Sequence, residues 1–118
     1  MTITLNRPKS LNALNRVMME SINDKLPLIN KHQCLWLQGA GTRAFCAGGD
    51  IKAYFSEGVT DQDRINLCKM ESHLYYDLHK LNTCEIACWD GIAMGSGVGI
   101  SIFGTAVIAT ENTVFAMP

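Results

Sequence analysis

Two glycine-rich segments carry the clearest chemical pattern in this chain: Phe45-Cys46-Ala47-Gly48-Gly49-Asp50-Ile51 and Met94-Gly95-Ser96-Gly97-Val98-Gly99. Each follows a segment that reads as a buried strand and precedes a predicted helix. Backbone N–H groups left bare at two such turns are what an acyl-transfer or enolate-forming site needs to hold an oxyanion. No obvious general acid or base accompanies them before Pro118. The competing reading is that these glycines only permit tight turns or close helix–strand packing. Nucleotide binding fits poorly. Ala47-Gly48-Gly49-Asp50 lacks the G-x-G-x-x-G spacing, Gly95-x-Gly97-x-Gly99 lacks the final glycine, and no G-x-x-x-x-G-K-[ST] occurs.

The elements that must position these turns can be read from periodicity. Thr2 to Leu5 alternates Thr with aliphatic residues and ends in Asn-Arg-Pro, which predicts a strand closed by a turn. Asn12 is placed to cap the next helix, on which Leu14, Met18, Ile22 and Leu26 recur every fourth residue. Pro27 is expected to kink or end that helix. Cys34 to Leu37 is a continuous apolar run, expected for a strand buried on both faces and closed by Gly39-Ala40-Gly41. Ile51 to Phe55 begins a helix, with a surface loop at Ser56-Glu57-Gly58. A long helix from Asp61 shows Leu67, Met70, Leu74, Leu78 and Leu81 at steps of three and four. Glu85–Trp89, Ala106–Ala109 and Val114–Ala116 read as strands, with Ile100–Phe103 continuing a helix after the second glycine turn. Alternating strands and helices predict an α/β fold with right-handed crossovers.

Bulk properties bound the partners. The chain has 118 residues, 47% hydrophobic, with 18% charged and a net charge of −1, the size of one globular domain or a piece of a larger one. Clustered Lys and Arg are missing, which argues against nucleic acid or an anionic membrane surface. The longest apolar stretch, Ile100 to Ala109, is interrupted by Gly104 and too short to span a bilayer. No signal peptide or Arg-rich transit segment opens the sequence; Met1 runs directly into a predicted strand. Cys34, Cys46, Cys68, Cys84 and Cys88 form no Cys-x-x-Cys pair and read as reduced, small buried hydrophobes. His32, His73 and His79 lack metal-ligand spacing and are expected on solvent-facing helix positions, so no metal is assigned.

The segments Arg43–Ile51 and Asp90–Gly99 resemble the two signature segments of the crotonase (enoyl-CoA hydratase/isomerase) superfamily. Ile3-Thr4-Leu5-Asn6-Arg7-Pro8 with Leu11-Asn12-Ala13-Leu14 is similar to that family's first strand and turn. Ala109-Thr110-Glu111-Asn112-Thr113 with Phe115-Ala116-Met117-Pro118 is similar to one branch, the 3-hydroxyisobutyryl-CoA hydrolases of valine breakdown. The resemblance implies the N-terminal part of a crotonase-like ββα spiral that binds an acyl-CoA and uses no separate cofactor, CoA being part of the substrate. It also implies a mitochondrial location and allows a homo-oligomer of the complete protein.

Carried over residue by residue, the resemblance makes the backbone N–H groups of Gly49 and Ser96 the two oxyanion donors. The family mostly has Gly where Ser96 stands, but the hydrogen comes from the main chain, so the donor survives if the backbone conformation suits a residue with a Cβ. A helix starting near Gly97 would point its positive end at the thioester oxygen. Ala47, Gly48, Gly95 and Gly97 would complete the substrate-binding backbone, with Asp50 as a structural cap. Lys52 matches a position near the CoA phosphates in some relatives, or is an ordinary exposed lysine. Glu71 aligns with a substrate-side glutamate of the hydrolase branch, or lies on a solvated helix face.

Departures from the pattern bear on the branch. Hydratases carry a catalytic glutamate where this chain has Gly99. Hydrolase relatives place a glutamate immediately after Ala-Met-Pro and an aspartate eight residues later, both past Pro118. The alternatives kept open are an isomerase or hydratase-like crotonase, and a truncated, non-catalytic CoA-binding chain. A complete domain of that family is longer than this chain, so exposed apolar surface and marginal stability of the isolated chain are expected.

Overall fold

A computed structural model describes residues 1–118. The strands are β1 (Thr2–Leu5), β2 (Cys34–Gly39), β3 (Ala44–Cys46), β4 (Cys84–Trp89), β5 (Ile92–Met94), β6 (Ala106–Ala109) and β7 (Val114–Ala116). The helices are α1 (Arg16–Ile29), α2 (Ile51–Phe55), α3 (Asp61–His79) and α4 (Ser96–Gly99), with a 3-10 turn at Pro8–Ser10. The strands form two parallel sheets, one ordered β1-β2-β4-β6 and the other β3-β5-β7. Successive pairs β2/β3, β4/β5 and β6/β7 each give one strand to each sheet, and a helical segment returns the chain for the next pair. This is a mixed α/β spiral of ββα units.

Register follows the apolar pattern. Trp36 pairs with Ile86 and Leu37 with Ala87, while Ile86 pairs with Ala106. Leu35 and Leu37 are fully buried, whereas Cys34 and Trp36 are only half-buried. The run expected to be covered on both faces therefore has one core face. The outer face carries polar contacts instead: the Trp36 indole donates to Gln38, which donates to Thr4.

The core joins Leu5, Leu35, Leu37, Ala87 and Trp89 of the larger sheet to Met19, Ile22 and Ile29 of α1. Leu74 and Leu78 of α3 and Phe45, Cys46 and Ala93 of the smaller sheet complete it. In α1 the cap is Asn15, whose side chain accepts from the Met18 N–H at 2.9 Å, not Asn12. Asn12 is buried with φ +55 and serves elsewhere, and Leu14 bridges to Gly49 before the helix begins. Pro27 lies in the last turn, and the helix ends two residues later. α3 opens with a capping box between Thr60 and Asp63 and turns Leu74 and Leu78 inward, with Leu67 and Met70 packed beside them.

Ile100–Phe103 is a series of hydrogen-bonded turns, because the regular helix α4 closes after four residues. Of the cysteines, only Cys46 is buried; Cys68 and Cys84 are exposed, on the outer face of α3 and at the first residue of β4. His32 follows α1 in a turn, although all three histidines are exposed. No helix is long and apolar enough to cross a membrane.

Candidate active site

The first glycine turn is held in place by the chain segment that follows β1. Leu11 accepts from the Ala47 N–H at 3.0 Å, and Leu14 donates to the Gly48 carbonyl and accepts from the Asp50 N–H, both at 2.8 Å. These bonds use the groups on either side of Gly49 and leave its own N–H free for another acceptor. Asn12 fixes the supporting segment. Its side-chain amide donates to the carbonyls of Ala40 and Ala44, and its oxygen accepts from the Arg7 N–H. Sequence reading missed this role: a buried Asn in a left-handed conformation is not distinguishable by residue type from an ordinary cap.

Asp50 caps α2 by accepting from the Lys52 N–H at 3.1 Å, and its other oxygen meets the Arg7 guanidinium at 2.9 Å. Both carboxylate oxygens are thus engaged in structure. Lys52 projects from the exposed side of this short helix without an ionic partner. Ala47 is half-buried beside the turn.

The second turn is brought against the first by close backbone approach. Gly48 has φ +115 and Gly95 φ +50, conformations that favour glycine. A Cβ placed on Gly48 would lie 3.7 Å from the Ser96 nitrogen, and one on Gly95 would lie 3.4 Å from the Gly48 Cα. Gly97 seats α4 on β3: a Cβ there would come within 2.6 Å of the Cys46 Cβ and carbonyl oxygen. Cys46 itself is inert packing, since burial pushes its thiol up to about 11. Trp89 braces the same turn through Ser101, which it contacts at 2.9 Å and which donates to the Gly97 carbonyl at 2.6 Å.

Ser96 has a negative φ, so its Cβ is carried without strain. As the first residue of α4 its N–H has no acceptor one helical turn back. The Gly49 and Ser96 amides therefore come from touching turns, and each is available to a ligand oxygen. The helix expected near Gly97 begins at Ser96 and is a single turn, so it contributes local N–H groups at the site.

Side chains of α2 and α3 close around the same point. A Cβ built on Gly49 would meet the Ser96 Oγ at 3.1 Å and the Glu71 Oε1 at 3.2 Å. Ser96 donates its hydroxyl hydrogen to Glu71 Oε1, and Tyr54 donates to Oε2 at 3.1 Å. Tyr75 stands near both Ser96 and Glu71. Burial first, and the Glu71 carboxylate second, push the Tyr54 phenol well above its ordinary value. Burial also raises Tyr75 strongly, so both phenols stay protonated as donors. Glu71 faces the glycine turns and not open solvent. Tyr54 and Tyr75 escaped sequence reading because nothing in the helical pattern separates a site-facing tyrosine from a packing one.

Gly99 answers a separate question. A Cβ there would lie 2.6 Å from the Tyr75 ring. The place where hydratases carry a catalytic glutamate is thus filled by Tyr75.

Comparison with known proteins identifies the family. The enoyl-CoA hydratase/isomerase family model matches residues 1–118. A protein named 3-hydroxyisobutyryl-CoA hydrolase, mitochondrial, from Xenopus laevis is 43% identical over 126 residues, covering 98% of this chain and 31% of its own length. The mouse (Mus musculus) protein of that name is 44% identical over 121 residues, with the same coverage. The chain therefore spans about a third of the length of these relatives. Among solved structures, an enoyl-CoA hydratase from Bacillus anthracis superposes with a TM-score of 0.90 at 29% identity, over 98% of this chain and 45% of that one. With the family model matching from the first residue to the last, this chain belongs to the enoyl-CoA hydratase/isomerase family.

Proposed function

We propose that this chain is the acyl-CoA-binding, oxyanion-stabilising part of a thioester hydrolase acting on 3-hydroxyisobutyryl-CoA. One observation carries the reading: the amides of Gly49 and Ser96 stand on two touching turns with their hydrogens free. A thioester carbonyl seated between them gains negative charge on oxygen when its carbon is attacked. Fixed N–H donors stabilise that charge without reorganising, and each is worth about 3 kcal/mol in the transition state. In this reading Ala47, Gly48, Gly95 and Gly97 shape the backbone around the thioester, and the exposed Lys52 meets the CoA phosphates. The acyl group then lies toward Glu71.

Hydrolase is favoured over hydratase because Tyr75 occupies the space beside Gly99. The names of the matched relatives support the same acyl group and a mitochondrial setting. CoA is consumed as part of the substrate, so the reading calls for no separate cofactor. The test is direct: the purified protein is assayed for CoA release from 3-hydroxyisobutyryl-CoA and for hydration of crotonyl-CoA. Release without hydration supports the reading, and hydration without release overturns it.

A further inference from the structure

Cys34 and Cys84 are the first residues of β2 and β4, and they stand directly opposite one another in the parallel ladder. Neighbouring strands lie about 4.8 Å apart, inside the Cα separation of about 4.4–6.8 Å that a disulfide spans. Leu35 and Leu37 of β2, with Glu85 and Ala87 of β4, are buried on one face of the sheet, so both thiols lie on the opposite, outer face. Backbone bonds anchor the two strand starts. The Cys84 N–H donates to the Gln33 carbonyl at 3.0 Å, and the Met1 ammonium donates to the Cys34 carbonyl at 2.8 Å. Neither cysteine belongs to the hydrophobic core, Cys84 being exposed and Cys34 half-buried. No other pair of cysteines is placed this way. Cys88 is further along β4, about 13 Å from Cys84, Cys46 is buried in the smaller sheet, and Cys68 lies on α3.

We propose that Cys34 and Cys84 form a redox-sensitive thiol pair, which a small-molecule disulfide of the glutathione type converts into a reversible disulfide within the chain. The exposed Cys84 sulfur gives up its proton and attacks one sulfur of the small disulfide, releasing one small thiol and leaving a mixed disulfide. The Cys34 sulfur then gives up its proton, attacks the Cys84 sulfur and releases the second small thiol. Two protein thiols and one small disulfide become one protein disulfide and two small thiols, so protons and electrons balance. Bridging brings the two Cβ atoms to about 3.8 Å, closer than the strand spacing, and a bond made under that strain is readily reduced. The link therefore suits a reversible state and not a permanent staple. It ties β2, which leads to the first glycine turn, to β4, which leads to the second. It also closes the stretch of chain that carries that first turn and Glu71, restricting the unfolded chain.

The experiment treats the purified protein with oxidised glutathione, blocks the remaining thiols with iodoacetamide, and maps the unreduced protein by mass spectrometry. Cleavage after Lys, Arg and Glu puts each cysteine on its own peptide, with Glu85 separating Cys84 from Cys88. A mixture of ordinary and nitrogen-15 protein distinguishes links within one chain from links between chains. The expected result is one dominant linked peptide, Cys34 to Cys84, formed within single chains and lost on adding dithiothreitol. Cys34→Ser removes the sulfur that resolves the mixed disulfide, so glutathione should accumulate on Cys84 in that variant. Protein unfolded in urea before oxidation should give a scatter of pairings instead. Glutathione held separately on Cys34 and Cys84 with no link between them overturns the proposal. So does a Cys34–Cys84 link found mainly between chains, or a native pattern that matches the urea-unfolded scatter.

Discussion

The side-chain amide of Asn12 donates to the Ala44 carbonyl at 2.8 Å, tying the segment after β1 to the strand that leads into the first glycine turn. The same side chain bonds Ala40 and Arg7, so one fully buried residue sets the position of Ala47–Asp50. Replacing Asn12 by Ala leaves two carbonyls and one N–H without this partner. Asn12→Ala is expected to cost about 3 kcal/mol, read by urea denaturation, and to lower kcat by loosening the Gly49 amide. Unchanged stability would show that water substitutes freely for the amide.

Gly97 and Gly58 make a paired prediction. A Cβ on Gly97 meets Cys46 at 2.6 Å, whereas one on Gly58 meets nothing, although Gly58 has φ +84. Gly97→Ala must push α4 off β3, at about 1–3 kcal/mol, and displaces the Ser96 amide with it. Gly58→Ala carries only the left-handed backbone cost of about 1 kcal/mol and should leave kcat unchanged. Equal effects of the two on kcat would contradict the close packing of the turns.

Glu85 makes stability depend on pH. It is buried on β4, its Oε1 has no hydrogen-bond partner, and burial pushes its carboxyl up to about 7 from 4.5. The folded chain therefore holds this proton over a range in which the unfolded chain has lost it. Stability falls as pH rises between those two values, by an order of about 3 kcal/mol, and levels off above. Glu85→Gln removes the titration, so its denaturation midpoint should stay flat over that window. A parallel fall in both proteins would assign the effect to another group.

The 118-residue polypeptide on its own is expected to self-associate. Only 24 of its 118 residues are buried, and β6 and β7 are sheet edges bearing exposed Ile108, Val114 and Phe115. Open edges with apolar side chains template further pairing. Sedimentation should show oligomers and aggregates, with dye binding to apolar surface. A monomer with a sharp cooperative melt would contradict this.

Much of the site was legible as spacing. Gly48, Gly49, Gly95 and Gly97 announce turns whose backbone must approach something closely, and the structure brings the two turns into contact. The strands β1, β2 and β4 were evident from apolar runs. The pair β6 and β7 was read as well, and the ββα pattern came with the family resemblance, whereas β3 and β5 went unread because they run straight into the glycine turns. Asn12 looked like a cap because the sequence does not encode its burial under Ala40 and Ala44. The Ser96–Glu71–Tyr54 cluster was hidden for a similar reason: it joins residues 17 and 25 positions apart on α2, α3 and α4. Helical periodicity reports what faces the core. It does not report which polar residue faces a turn from another unit of the spiral.

The central claim is that the Gly49 and Ser96 amides grip the thioester oxygen, and carbonyl vibration tests it most directly. A thioester analogue that resists turnover, labelled with carbon-13 at the carbonyl, is bound to the purified protein and its infrared stretch compared with that in water. Two N–H donors polarise the carbonyl, so the account predicts a shift to lower frequency on binding. Gly97→Ala, which displaces one donor, should reduce that shift. A bound analogue whose carbonyl stretch matches free solution, or lies higher, would contradict the oxyanion hole.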